Sequence, residues 1–255
     1  MFIFPIGMPN LVITIMAAGE GKRMNSPLPK VLHLFRGEPM LVRIIKTCVA
    51  LCPKKIIIVT GKHDELIKET LLAYIDISVL IFIQQVSPIG TGDAIRSCLP
   101  FYESGERVLI LNGDMPLITR ELLDEFVQHN RFFEISILVA KFGEPKGYGR
   151  ILYDEDRRFI SIIEEKDCDE DQREIQTINS GVYMVSAELL KTYVPIIDNK
   201  NAQNEYYLTD IVKIVKDHID LHIETYLVDP EYNHLIAGVN TQEELVGLEL
   251  ESEVL

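Results

Sequence analysis

A short run near the amino terminus, Ala17-Ala18-Gly19-Glu20-Gly21-Lys22-Arg23-Met24, followed by Pro29-Lys30, brings small residues and cations together after an apolar stretch. Glycine and alanine let backbone N–H groups approach a phosphate chain, and consecutive N–H groups form nests for anions. Two familiar phosphate loops do not fit. A Walker A loop needs Ser or Thr after Gly-Lys, where Arg23 stands, and a dinucleotide fingerprint needs a third glycine, where Met24 stands. What remains is Gly-x-Gly-x-Arg with a lysine seven residues after the arginine.

The charge distribution supports an anionic ligand at this end. The chain of 255 residues carries a formal net charge of −14, which disfavours nucleic acid or an anionic membrane surface as partner. Residues 1–60 hold eight basic and two acidic side chains, a balance of +6. Several of those cations (Arg36, Arg43, Lys46, Lys54, Lys55) also suit plain solvated flanks of helices and strands. Four cysteines without C-x-x-C spacing argue against a zinc or redox centre and fit a reducing, cytoplasmic setting. Cys48 and Cys52 read as core filler of one helix. His218 and His222 stand four apart, but Asp220-Leu221 between them reads as a turn, so zinc is not expected there. The uncharged start, Met1–Gly19, is broken by Pro5, Gly7, Pro9 and Asn10, and it reads as a short extension before a buried strand.

Such a loop must sit where strands end, and the pattern along the chain supplies them. Strands are expected at Leu11–Met16, Ile56–Thr60, Ser78–Ile83, Val108–Leu111 and Ile135–Ala140. Helices are expected at Met40–Leu51, from Asp64 to Tyr74, from near Gly92, and after a Thr119 cap. This alternation predicts an α/β fold, a Rossmann-like mixed and mostly parallel sheet with helices on both faces. Beyond it come an antiparallel pair, Gly147–Tyr153 with Phe159–Glu164, a longer strand Thr177–Val185, a helix Glu205–Asp217, a strand Ile223–Val228, and an acidic helix from Thr241. With no linker or repeat, residues 1–255 read as one domain. Its first half, 1–118, is patterned like a nucleotide-binding half, and its second, 119–255, is more irregular.

The run MAAGEGKRMNSPLPKVL resembles the signature of sugar-1-phosphate nucleotidyltransferases. Further blocks narrow the resemblance to the uridyltransferase domain of bacterial bifunctional N-acetylglucosamine-1-phosphate uridyltransferases. They are QQVSPIGTGDA (84–94), NGDMPLI (112–118), GYGRI (147–151), IIEEKD (162–167), INSGVY (178–183), NAQNEYYLTDIV (201–212) and GVN (238–240). The resemblance implies the nucleotide-diphospho-sugar transferase fold, with the second half holding the sugar. It also implies uridylyl transfer from UTP to N-acetylglucosamine 1-phosphate, with Mg²⁺ as cofactor. Ala17, Ala18, Gly19, Gln85, Gly90 and Thr91 match nucleotide-binding positions, Gln85 as the reader of uracil. Arg23 and Lys30 match the phosphate-binding cations, and Asp114 and Asn240 the metal ligands. Asn112, Gly113, Gly149, Glu164 and Asn179 match the sugar side.

Singly, these residues also suit structural work: Asp114 a turn before Pro116, Asn240 a helix start, Gly149 a turn, Glu164 an exposed charge. Departures from the family pattern are Glu20 for a frequent basic residue, Lys22 for Thr, Asp93 for a frequent His and Asn112 for Tyr. The last two are expected to bear on sugar contacts. The bifunctional relatives continue into hexapeptide repeats with acetyltransferase activity. None follows here, so acetyl-CoA is not expected as a substrate, and a monomer or weak oligomer is expected. The alternatives are the same chemistry on another base or sugar, or a non-catalytic binding subunit.

Overall fold

The computed structural model describes residues 8–219 and 221–252. Its centre is strand β1 (Leu11–Met16), whose Val and Ile residues suit a strand covered on both faces. β1 pairs in parallel with β4 (Lys55–Thr60) on one side and β6 (Arg107–Asn112) on the other, and β4 pairs in parallel with β5 (Leu80–Gln84). A small ribbon, β2 (Leu34–Phe35) with β3 (Glu38–Pro39), stands apart. Beyond β6 the direction changes. β10 (Thr177–Ser186) runs antiparallel to β6 and to β7 (Ile135–Lys141), and β11 (Glu224–Leu227) lies parallel to β7 at the edge. β8 (Gly149–Tyr153) and β9 (Phe159–Ile163) form the expected antiparallel pair, which joins the sheet through β10.

Alternation along the strands distributes their side chains to two cores. Leu11, Ile13 and Ile15 pack with helices α1 (Met40–Val49), α2 (Asp64–Leu72) and α4 (Arg120–His129). Val12, Val108 and Ile110 pack on the opposite face with α3 (Thr91–Cys98), α6 (Ala187–Tyr193) and α7 (Asp210–His218). Two shorter roles complete the set: α5 (Glu170–Arg173) carries an Asp169–Gln172 capping box, and α8 (Gln242–Ser252) packs on Met24 and Phe35 through Leu245 and Leu248. Thr14, on the inner face of β1, satisfies its hydroxyl with Tyr102 at 2.8 Å. The expected mixed, mostly parallel sheet with helices on both faces is present.

Two expectations differ in detail, and one helix was not expected. α7 starts at Asp210, not Glu205, because Tyr206 and Leu208 spend their backbone groups on the loop before α3. α1 stops at Val49, and Cys52 is exposed in a left-handed turn before Pro53 (φ 52°); only Cys48 is core filler. α6, capped by Ser186 on Leu189 N–H, had no separate signal against the preceding apolar strand. The extension at Met1–Gly7 lies outside the described residues, as does Asp220 of the turn expected between His218 and His222. No helix among the described residues is long and apolar enough to cross a membrane.

Candidate active site

The carboxyl ends of β1, β5 and β6 open onto a cavity of about 530 Å³. Its lining includes Ala18, Gly19, Arg23, Lys30, Gln85, Gly90, Thr91, Asn112, Asp114 and Asn240. A second cavity of about 200 Å³ lies beside it, lined by Gly149, Glu164, Asn179, Tyr148 and Thr209 among others. Asn112, Asp114, Asn240, Met16 and Thr91 border both. The strand ends therefore support two adjoining chambers with a shared wall.

That wall is where the cations converge. The Lys30 ammonium pairs with Asp114 Oδ2 and donates to Asn240 Oδ1 at 3.2 Å. Arg23 Nη2 donates to the same Asn240 oxygen at 2.9 Å. Four residues from three distant stretches of chain thus meet within hydrogen-bond reach. The backbone fixes the meeting. Val239 N–H donates to Asp114 C=O at 2.9 Å, tying the segment before α8 to the end of β6. Gln242 Nε2 reaches Met24 C=O at 2.7 Å, tying α8 to the loop that carries Arg23.

Gly21 has a structural reason beyond phosphate approach. Its φ is 60°, and a Cβ there would lie 2.6 Å from Lys30 Cβ, so only glycine lets the loop close over Lys30. Glu20 and Lys22, the two departures in this loop, answer one another. Glu20 bonds Lys62 at 2.8 Å and Lys22 at 3.0 Å, and these two ammonium groups pull its carboxyl down to about 2. The exchange of charge is balanced locally, and Arg23 and Lys30 keep their place at the wall.

Gln85 ends the β5 side. Its N–H donates to Thr60 C=O at 2.7 Å, and its side-chain amide donates to Asp93 Oδ2 at 2.6 Å and Gly90 C=O at 3.3 Å. The loop from 85 to 92 is zipped to Tyr206: Tyr206 N–H donates to Ile89 C=O at 2.9 Å, and Gly92 N–H donates to Tyr206 C=O at 2.7 Å. A Cβ on Gly90 would collide with the Tyr206 backbone. Asp93, expected to bear on sugar contacts, thus stands behind Gln85 and lines neither cavity.

The second cavity is built on strands. β10 shifts register between Asn179 and Tyr183, with Gly181 at φ 80°, where a Cβ would collide with the Asn112 amide. Asn179 uses both ends of its amide, accepting from Gly181 N–H at 3.0 Å and donating to Tyr183 OH at 2.6 Å. Glu164 accepts from Thr209 Oγ at 2.9 Å. Burial pushes the Glu164 carboxyl up, and the nearby Asp210, Asp167 and Glu205 add to the rise against the Thr209 bond. Arg150, fully buried, holds the strand pair through Glu165 at 2.8 Å and the Arg173 carbonyl.

Most of the residues singled out from sequence line one chamber or both. Two do not. Ala17 is buried with its N–H on Val59 C=O at 2.8 Å, and Gly113 serves close packing, where a Cβ would meet Val31 and the Met16 carbonyl. Thr209, Tyr148 and Tyr206 were not singled out, although Thr209 and Tyr206 lie inside the NAQNEYYLTDIV block and Tyr148 inside GYGRI. A metal centre of many acidic or imidazole ligands is absent among the described residues. The pair of hard oxygens at Asp114 and Asn240, already gathered around one cation, fits Mg²⁺, which takes few protein oxygens and fills its shell with phosphate and water.

This fold, with cations and hard oxygens at the strand ends, defines a nucleotidyltransferase. MobA-like NTP transferase domains match residues 13–180, more than half of the chain, which belongs to that family. More particularly, it is 38% identical over 242 residues to a probable UDP-N-acetylglucosamine pyrophosphorylase of Acanthamoeba polyphaga mimivirus, covering 94% of this chain and 95% of that protein. It is 36% identical over 240 residues to the bifunctional protein GlmU of Francisella tularensis subsp. holarctica, of which it spans about half the length (51%). A putative glucose-1-phosphate thymidylyltransferase from Bacillus anthracis shares the fold with TM-score 0.72 at 19% identity, over 96% of each chain. HddC from Yersinia pseudotuberculosis does so with TM-score 0.68 at 19% identity, over 94% of this chain and 99% of that one.

Proposed function

We propose that the chain transfers the uridylyl group of UTP to N-acetylglucosamine 1-phosphate, releasing pyrophosphate. The observation that carries this reading is the shared wall, where Asp114 and Asn240 border both chambers and Lys30 and Arg23 reach them from the larger one. UTP occupies the larger chamber, its base at Gln85, Gly90 and Thr91. The sugar occupies the smaller one, against Gly149, Glu164 and Asn179, with its phosphate at the wall. The relative named a probable UDP-N-acetylglucosamine pyrophosphorylase supports that choice of substrates.

A sugar phosphate has its second pKa near 6 and is an ionised nucleophile at neutral pH, so no general base is required. Its oxygen forms a bond to the α-phosphorus of UTP. The bond from that phosphorus to the bridging oxygen breaks, and pyrophosphate leaves with the electron pair. The barrier is the approach of two anions and the charge gathering on the leaving group. Lys30 and Arg23 offset both, and the two chambers align the reactants for in-line displacement. Asp114 and Asn240 would hold Mg²⁺, which would supply further positive charge beside the phosphates. The Lys30 ammonium, which pairs with Asp114, would then be available to phosphate oxygen.

Pyrophosphate release over four nucleoside triphosphates and several hexose 1-phosphates, with Mg²⁺, tests this. The expected result is one dominant pair, UTP with N-acetylglucosamine 1-phosphate. Release from a different pair would reassign the substrates. No release from any pair would remove the enzymatic reading.

A further inference from the structure

The amide of Gln85 is held in one orientation by its neighbours. The partners of its nitrogen are the Asp93 carboxylate at 2.6 Å and the Gly90 carbonyl at 3.3 Å. Both can only accept hydrogen bonds, so the end of the amide facing them must be the NH₂ group. A flipped amide would set oxygen against oxygen at both positions. Asp93 is pinned in turn: its other oxygen lies 3.9 Å from the Arg96 guanidinium. Arg96 stacks over the Tyr206 ring at 4.4 Å and donates to the Val194 and Ile197 carbonyls. The Gln85 oxygen receives no hydrogen bond among the described residues, although the residue is only 3% exposed and lines the larger chamber. On the same wall, the Gly90 and Thr91 N–H groups donate to nothing among the described residues; Thr91 opens α3, where first-turn N–H groups lack helical partners.

We propose that Asp93 sets the base specificity of this enzyme, as a positioning residue that locks Gln85 with its oxygen available to the base. A bare acceptor with N–H donors near it complements an imide edge, in which a ring N–H stands between two carbonyl oxygens. Uracil and thymine carry that edge. Cytosine presents a lone pair where the imide has its N–H and an amino group where it has a carbonyl, so it meets like against like. Hydrogen-bonding sites discriminate strongly because a mismatched base leaves buried polar groups unpaired. The inference rests on the proposal that the larger chamber holds UTP, and it adds which residue makes that choice. Asn in place of Asp93 offers an NH₂ as well as an oxygen, so a flipped Gln85 amide meets oxygen only at the longer Gly90 contact of 3.3 Å and can turn over at lower cost.

The test compares the wild type with Asp93→Asn and Asp93→Ala, measuring kcat/KM by pyrophosphate release with UTP and with CTP. N-acetylglucosamine 1-phosphate is the acceptor, and the melting temperature of each variant is recorded. The expected wild-type preference for UTP is about 100-fold or more. In Asp93→Asn the ratio falls by about tenfold or more, with KM for the sugar phosphate unchanged. Equal loss of both rates at a constant ratio is what a merely structural Asp93 would give, and it overturns the lock while leaving uridylyl transfer standing. A wild type that uses CTP as well as UTP overturns both. If the wild type releases no pyrophosphate, the transfer reading falls, and calorimetric binding of UTP against CTP decides the lock. A preference that collapses in both variants supports it, and an unchanged or absent preference refutes it.

Discussion

The two chambers are built by opposite means. The larger draws its chemistry from loops at the ends of parallel strands, where exposed or half-buried cations meet a carboxylate and an amide. The smaller draws on strands and a buried interior, where Asn179, Tyr183, Thr209 and Glu164 satisfy one another before any ligand arrives. On the proposed assignment, a triphosphate brings its own charge to the larger chamber, where long cations meet it with few fixed bonds. On the same assignment, a neutral sugar ring brings hydroxyls and an amide to the smaller one, where polar groups are fixed in place at the cost of burying a carboxylate. Of the cations in the first sixty residues, Lys22, Arg23 and Lys30 line the larger chamber, while Lys46, Lys54 and Lys55 pair with Glu38, Glu103 and Glu106 away from it.

Substitutions can break or sharpen this division. Lys30→Ala should have the largest effect, lowering kcat by about 100-fold or more as charge stabilisation at the wall is lost. Steady-state pyrophosphate release checks it, with circular dichroism to show that the fold survives. A change confined to KM for UTP would make Lys30 a binding group only. Glu164→Gln should act on one side: KM for the sugar phosphate rises by about tenfold while KM for UTP stays near wild type. An equal rise in both would erase the distinction between the chambers.

The smallest effect is on stability. Burial, helped by Asp198, raises the Asp210 carboxyl to about 6, above its unfolded value. Ionising it in the folded protein therefore costs stability as pH rises through about 6, and no cost exists below its unfolded pKa. Asp210→Asn should raise the melting temperature by a few degrees at pH 8, and the gain should vanish near pH 4. Thermal scans at the two pH values check this; equal gains at both would place the origin elsewhere.

Much of the larger chamber was legible in sequence because each strand there ends in residues of unusual type. Gly19, Arg23, Lys30, Gln85 and Asp114 all follow apolar β-branched runs, and strand ends are where open sheets bind ligands. Asn240 became visible only through family resemblance, since an Asn before a helix has an ordinary capping use. The smaller chamber was harder to read. The bulge in β10 depends on Gly181 meeting Asn112 across a strand pair, and no local pattern encodes that encounter. The early start expected for α7 failed because tertiary hydrogen bonds from Tyr206 and Leu208 outweigh helix propensity over Glu205–Thr209. Asp93 was noticed as a departure bearing on sugar contacts, and its bond to Gln85 was not foreseen, because spacing along α3 does not reveal which neighbour a side chain meets.

The most direct test of the central claim is a crystal structure of the protein with UDP-N-acetylglucosamine and Mg²⁺. The account predicts the uracil against Gln85, the diphosphate across the wall formed by Lys30, Asp114 and Asn240, and the sugar against Glu164 and Asn179. A product lying wholly within one chamber, with its diphosphate away from Asp114 and Asn240, would contradict it.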